Sequence, residues 1–211
     1  MPARDVSRLT AWRVMTPMAP DDEQGLVARL SAGDTGAFDE VYDVYRPRVF
    51  AFLLRMTRNR ALAEDLLDET WLRLVRHATR LLPDTRLGPW LFTVARNLYW
   101  SHRRDALLEE SFVPELLTLW PSPAPWPSPF DLAAAGELER RVERALSTLS
   151  PQYREVVLLV GHEGLTPTDA AVVCGISPEA VRQRLSRARA ALAEKLRETP
   201  AVAALKKGFA T

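Results

Sequence analysis

The stretch "SPEAVRQRLSRARAAL", Ser177 to Leu192, sets four arginines among small and aliphatic residues. At the helical repeat, Val181, Leu185, Ala188 and Leu192 fall on one stripe, the side that a helix must bury. The opposite face carries Glu179, Gln183, Ser186 and Arg187, while Arg182 and Arg189 flank the stripe on one side and Arg184 on the other. Guanidinium arms beside a polar face can reach phosphates along a DNA groove. From that face Arg187 can pair with guanine edges, Gln183 with adenine, and Glu179 can accept from cytosine. The competing reading is a solvated amphipathic helix whose arginines only keep it soluble.

The segment before it favours the first reading. In "LTPTDAAVVCGIS", Thr166 can cap a helix, with Pro167 at the first helical position and Asp169 three residues after the cap. Gly175 suits the left-handed position after that helix, Ser177 caps the next, and Pro178 opens it. Small Ala170 and Ala171 permit close approach, so the pair is predicted to be a helix-turn-helix. Upstream, Leu138, Val142, Leu146, Leu149, Val156, Val157 and Val160 supply a small helical core around it. Cys174 and His162 are expected to be packing or surface residues.

The elements that must position this helix follow from the rest of the chain. Its 211 residues are 47% hydrophobic and 26% charged, which excludes the disordered class. A formal charge of +1 means that any nucleic-acid surface is a local patch. The lone Cys174 excludes an internal disulfide, and His77, His102 and His162 are too scattered to suggest a metal site, which fits a reducing cytosol. No apolar run reaches membrane-spanning length. Nearly every apolar stretch repeats at helical spacing, so the chain is predicted to be all-α. Six prolines in "PELLTLWPSPAPWPSPF" favour extended backbone and read as a linker, with a ligand for a proline-reading partner as the alternative. The expected organisation is a flexible extension (1–21), a helical domain (22–105), a Pro-rich linker (106–136), a helix-turn-helix domain (137–199) and a tail (200–211). Met15 and Met18 are alternative starts.

The amino-terminal block, "GDTGAFDEVYDVYRPRVFAFLLRMTRNRALAEDLLDETWLRLVRH" followed by "PWLFTVARNLYWSHRR", resembles region 2 of bacterial RNA polymerase sigma factors of the extracytoplasmic-function (ECF) group of the sigma-70 family. The distal "LSPQYREVVLL" with the helix-turn-helix resembles their region 4. Both occur in the family's order, with a linker between. The resemblance implies a subunit that binds core RNA polymerase, opens the −10 promoter element with region 2 and reads the −35 element with region 4.

Residue by residue, it implies three surfaces. In "AEDLLDETWLRL" the apolar stripe Leu62, Leu66, Leu67, Trp71 and Leu74 leaves Asp65, Asp68 and Glu69 as an acidic face for the polymerase's largest subunit; Asp68 stands where the family usually has Gln. Read without the resemblance, these acids are a solvated face. In "PWLFTVARNLYWSHRR" a helix burying Leu91, Val94, Ala95 and Leu98 projects Arg96, Trp100, Arg103 and Arg104, cations beside an aromatic plane that suit an unpaired strand. Asn97 joins them by family position, and Ser101 stands where the family commonly has Asp. Trp100 can equally pack against another helix. The −35 surface is Glu179, Arg182, Gln183, Arg184, Ser186 and Arg187. The stripe Phe38, Val41, Tyr42, Tyr45, Val49, Phe52 and Leu53 reads as core, with Asp34 as the cap of its helix.

The partners so implied are core polymerase, promoter DNA and an anti-sigma factor, with no cofactor, metal or membrane insertion, in the cytoplasm. A sensor-type regulator is the first rival, but the helical block lacks a strand-alternating sensor pattern. An enzyme with an accessory DNA module is the second; no Gly-rich phosphate loop or nucleophile elbow is present in the sequence.

Overall fold

A computed structural model describes residues 20–112 and 136–197. Most of the expected extension, most of the expected linker and the expected tail therefore lie outside the described residues, and the first helix begins at Pro20, inside the expected extension. Within them, every regular element is helical. The first block contains α1 (Pro20–Ser31), α2 (Thr35–Thr57), α3 (Arg60–His77), a 3-10 turn (Ala78–Arg80) and α4 (Leu87–Phe112). The second contains α5 (Glu137–Thr148), α6 (Pro151–Val156, continued by a π-helical stretch Val157–His162), α7 (Pro167–Cys174) and α8 (Pro178–Arg197).

Local chemistry sets the boundaries. Asp34 accepts from the Gly36 and Ala37 amides and starts α2; Asn59 accepts from the Leu62 amide and starts α3. Between them Arg58 takes a left-handed conformation (φ 57°), an uncommon place for a side chain and the turn that reverses the chain. Helix α4 continues through Phe112 and so overruns the expected start of the linker at 106. The reason is local: "ALLEES" favours helix, and the first proline, Pro114, bars helical geometry only from the residue before it.

The expected stripe of α2 is mostly core: Val41, Val49, Phe52 and Leu53 are fully buried, Tyr45 nearly so, while Phe38 and Tyr42 pack at its edge. Phe52 meets Phe92 of α4 edge to face at 5.5 Å, and Tyr42 lies 4.8 Å from Trp71 of α3. In the second block Leu146, Leu158, Leu159 and Val181 are buried to a few per cent or less. Burial of four such side chains stabilises by roughly 1.5 to 3 kcal/mol each, enough to define a small core.

The two blocks pack against each other through one continuous apolar cluster, with α4 against α7 as the main contact. Buried Arg154 of α6 fastens them. It donates to the main-chain oxygens of Leu146 (3.1 Å), Ser147 (3.1 Å) and Leu149 (2.9 Å), and across to those of Arg55 (3.3 Å) and Met56 (3.4 Å). A cation there meets carbonyls left without helical partners at the ends of α5 and α2.

Candidate nucleic-acid and polymerase interfaces

The helix-turn-helix forms as its sequence chemistry dictates. Thr166 Oγ1 accepts from the Asp169 amide (3.1 Å) and donates to the Asp169 carboxylate (2.7 Å). Gly175 adopts φ 64°, ψ 37°, the left-handed conformation that ends α7 without a Cβ penalty. Ser177 Oγ then accepts from the Ala180 amide at 3.1 Å and opens α8. Val181, Leu185 and Ala188 are buried and Leu192 is partly so, so the opposite face turns outward. Glu179, Arg182, Gln183, Ser186 and Arg187 are all exposed. An i,i+3 pair between Arg182 and Glu179 (3.6 Å) is open to solvent and contributes little, leaving both groups available.

Arg184 departs from its expected place. Its side chain is mostly covered, and Nη1 lies 3.7 Å from Oε1 of Glu155, which is itself fully buried. The wheel placed Arg184 beside the stripe correctly, but α6 passes there, and its carboxylate draws the guanidinium inward.

On α4, Leu91, Ala95 and Leu98 are buried as expected, together with Phe92 and Tyr99, whereas Val94 is only partly covered. Asn97, Arg103 and Arg104 are exposed. Arg96 and Trp100 do not project away from the protein: Arg96 Nε donates to Glu155 Oε2 at 3.0 Å, and Trp100 Nε1 donates to the same oxygen at 2.8 Å. The Arg96 guanidinium also sits 5.9 Å from the Trp100 ring centroid, within cation–π range. Beside them a partly open groove of about 450 Å³ is lined by Arg73, Arg96, Asn97, Trp100, Ser101 and Arg104. Arg73, from α3, is a groove residue that the sequence did not single out.

The acidic face of α3 is present. Asp65 and Asp68 are exposed, and Glu69 is partly covered by an i,i+4 pair with Arg73 at 3.0 Å. Leu72 and Val75 are about half exposed and continue the same face by helical spacing, giving an apolar strip beside the carboxylates. Their period alone did not separate them from core positions.

Between the blocks lies a set of ion pairs, buried except at the exposed Arg86, that sequence reasoning missed. Arg48 Nε donates to Glu163 Oε2 (2.9 Å) and Arg48 Nη2 to the Glu163 main-chain oxygen (3.0 Å). Arg55 donates to Glu143 at 2.8 Å, and Arg86 pairs with Asp169. Burial raises the Glu163 pKa above the usual carboxylate value, against the lowering effect of Arg48. Burial, then the Arg55 and Arg48 charges, push neighbouring His162 down to about 4. Cys174 is buried, and that burial pushes its thiol up to about 12, which leaves it a packing residue. Among the described residues no group of His, Cys, Asp and Glu is placed to hold a metal ion, and no helix is long and apolar enough to cross a membrane.

Comparison with known proteins gives two family matches: Sigma-70 region 2 over residues 41–107 and Sigma-70, region 4 over residues 139–192. The chain is 38% identical over 170 residues to the RNA polymerase sigma factor CarQ of Myxococcus xanthus, covering 81% of this chain and 92% of that protein. It is 32% identical over 152 residues to the ECF RNA polymerase sigma factor SigM of Bacillus subtilis, covering 72% and 90%. Among solved structures, the sigma factor RpoE in complex with the anti-sigma factor NepR from Bartonella quintana is similar, with a TM-score of 0.62, 26% identity, and coverage of 77% of this chain and 98% of that one. CnrH in complex with the cytosolic domain of CnrY shares the fold, with a TM-score of 0.63, 22% identity, and coverage of 84% and 98%.

Proposed function

The chain belongs to the ECF group of the sigma-70 family of RNA polymerase sigma factors, and from that membership we propose how its residues divide the work of transcription initiation. The protein directs promoter-dependent transcription initiation through RNA polymerase. Region 2 covers the first helical block through the end of α4 at Phe112, region 4 the second block from Glu137, and the stretch between them is the linker. Asp65, Asp68 and Glu69 dock on core polymerase, aided by the half-exposed Leu72 and Val75 beside them. Carboxylates there steer the encounter and make it salt-sensitive.

The −35 element is read by α8. What carries this reading is its outward face, five polar side chains held on a helix whose start and whose partner's end are both capped. Arg187 at the centre of that face supplies a guanine contact, Gln183 an adenine contact, and Arg182 a phosphate contact. The −10 element is engaged by Asn97, Arg103 and Arg104, which are exposed, with Arg96 and Trp100 joining once they are free of Glu155. An aromatic plane among guanidinium groups binds an unstacked strand better than a duplex, so opening follows from a population shift toward the melted state. Two modest contacts joined by a linker then act together through effective concentration.

The protein works in the cytoplasm as a specificity subunit with no covalent chemistry of its own. It is held in check by an anti-sigma factor, as RpoE of the solved complex is bound by one. The test is to add the purified protein to bacterial core polymerase and genomic DNA and to map transcript 5′ ends. New starts sharing two upstream motifs at fixed spacing are expected. No new starts, with duplex DNA bound by the protein alone, overturns the assignment.

A further inference from the structure

The groove beside α4 has a second wall to which the strand-binding assignment gives no task. Arg96, Asn97, Trp100, Ser101 and Arg104 of α4 line it together with Arg73 of α3. Three guanidinium groups from two helices thus meet at one opening of about 450 Å³, and among the described residues no carboxylate lines it. Cations gathered in a cleft concentrate positive potential there and draw a polyanion in.

The two walls offer different chemistry. On α4, Asn97, Trp100, Ser101 and Arg104 recur at three- and four-residue spacing and so form one row along the helix. That row carries an amide, an aromatic plane and a hydroxyl, groups suited to bases. Across from it α3 contributes a cation alone. Arg73 has a side chain 42% exposed, and its Nε donates to Glu69 Oε1 at 3.0 Å. That bond orients the arm along α3 and leaves the Nη edge of the guanidinium for a second acceptor. An i,i+4 pair this open to solvent contributes little, so a phosphate competes for Arg73 at small cost. Arg96, by contrast, is committed to the buried Glu155.

We propose that Arg73 is a backbone-phosphate ligand for the opened −10 strand, held ready by Glu69 and forming the wall opposite α4. This rests on the assignment of that strand to α4. A phosphate contact carries no sequence information, so Arg73 sets how tightly the opened strand is held and leaves promoter choice unaltered.

The test titrates holoenzyme, assembled from core polymerase and the full chain, onto a promoter fragment from a mapped start whose −10 segment is left unpaired. Arg73→Ala is expected to weaken binding about tenfold, the loss of one charge-assisted hydrogen bond. It should also reduce the slope of log affinity against log salt by about 0.7, the share of one single-strand phosphate. Arg73→Lys keeps the charge and should return most of that slope. Arg73→Ala with wild-type affinity and slope, while Arg104→Ala weakens binding, overturns the proposal and leaves the strand assignment standing. If neither variant alters binding to the unpaired fragment, the strand assignment falls and the phosphate contact with it. Core polymerase should retain Arg73→Ala as it does wild type in a pull-down. Loss there would place Arg73 in the docking face beside Glu69 and overturn the proposal as well.

Discussion

Replacing Arg48 by Met removes one partner of the most deeply buried ion pair between the blocks. Arg48 and Glu163 have side-chain exposures of 4% and 0%, and the guanidinium makes both contacts to Glu163 while lying 5.2 Å from the Tyr45 ring centroid. Stripping one partner from such a pair costs roughly 3 to 5 kcal/mol, because a charge is left buried and unpaired. Glu163 can escape part of that by taking up a proton, which its raised pKa already favours. The expected loss is therefore about 3 kcal/mol, or a Tm drop of roughly 6 to 12 °C at this chain length.

A double-mutant cycle isolates the cause. Glu163→Gln added to Arg48→Met removes the orphaned charge, so the double variant should recover about 1 to 2 kcal/mol over Arg48→Met alone. The pH dependence has a definite sign. A carboxyl whose folded pKa lies above its unfolded one contributes stability below the unfolded value and loses it as pH rises through the folded value. Arg48→Met should thus lie closest to wild type in mild acid. Urea unfolding across pH reads all of this. An Arg48→Met variant within about 0.5 kcal/mol of wild type, or a double variant whose losses simply add, would refute the reasoning.

Three further outcomes are expected. Arg187→Ala should weaken binding to a −35 duplex by about 1 to 3 kcal/mol and leave polymerase binding unchanged in a pull-down; equal loss of both would end the division of labour. Gly175→Ala places a Cβ in a left-handed backbone (φ 64°) with open space around it, so strain alone should cost about 1 to 2 kcal/mol in thermal unfolding, and a stabilised variant would contradict it. His162, with its folded pKa of about 4 against an ordinary 6.5, contributes stability above pH 6.5 that is lost as pH falls toward 4. Relative to His162→Gln, which keeps an acceptor for Arg55, wild type should lose up to about 3 kcal/mol across that window. A flat difference would mean that the imidazole takes up its proton at the same pH in the folded and unfolded chain.

The helix-turn-helix was legible in the linear chain because its determinants are local. Thr166, Pro167, Gly175, Ser177 and Pro178 each act on backbone within four residues, and all five do in the structure what their types require. The outward positions of Arg182, Gln183 and Arg187 followed from helical period alone, as did those of Asp65 and Asp68. Period tells which residues share a face. It does not tell what that face meets.

Arg96 and Trp100 show the difference. Spacing predicted exposure for Arg96 and left Trp100 open between exposure and packing against another helix; both end on Glu155, 59 and 55 residues away. Nothing near either residue marks that partner, and Glu155 reads in its own helix as one more charged position beside Arg154. The same holds for Arg48 with Glu163, separated by 115 residues. Local backbone preference and amphipathic period settled the helices and the reading face. The burial of one carboxylate among three cationic or N–H donors was decided only when two apolar blocks packed together, because desolvation exists only after folding has excluded the water.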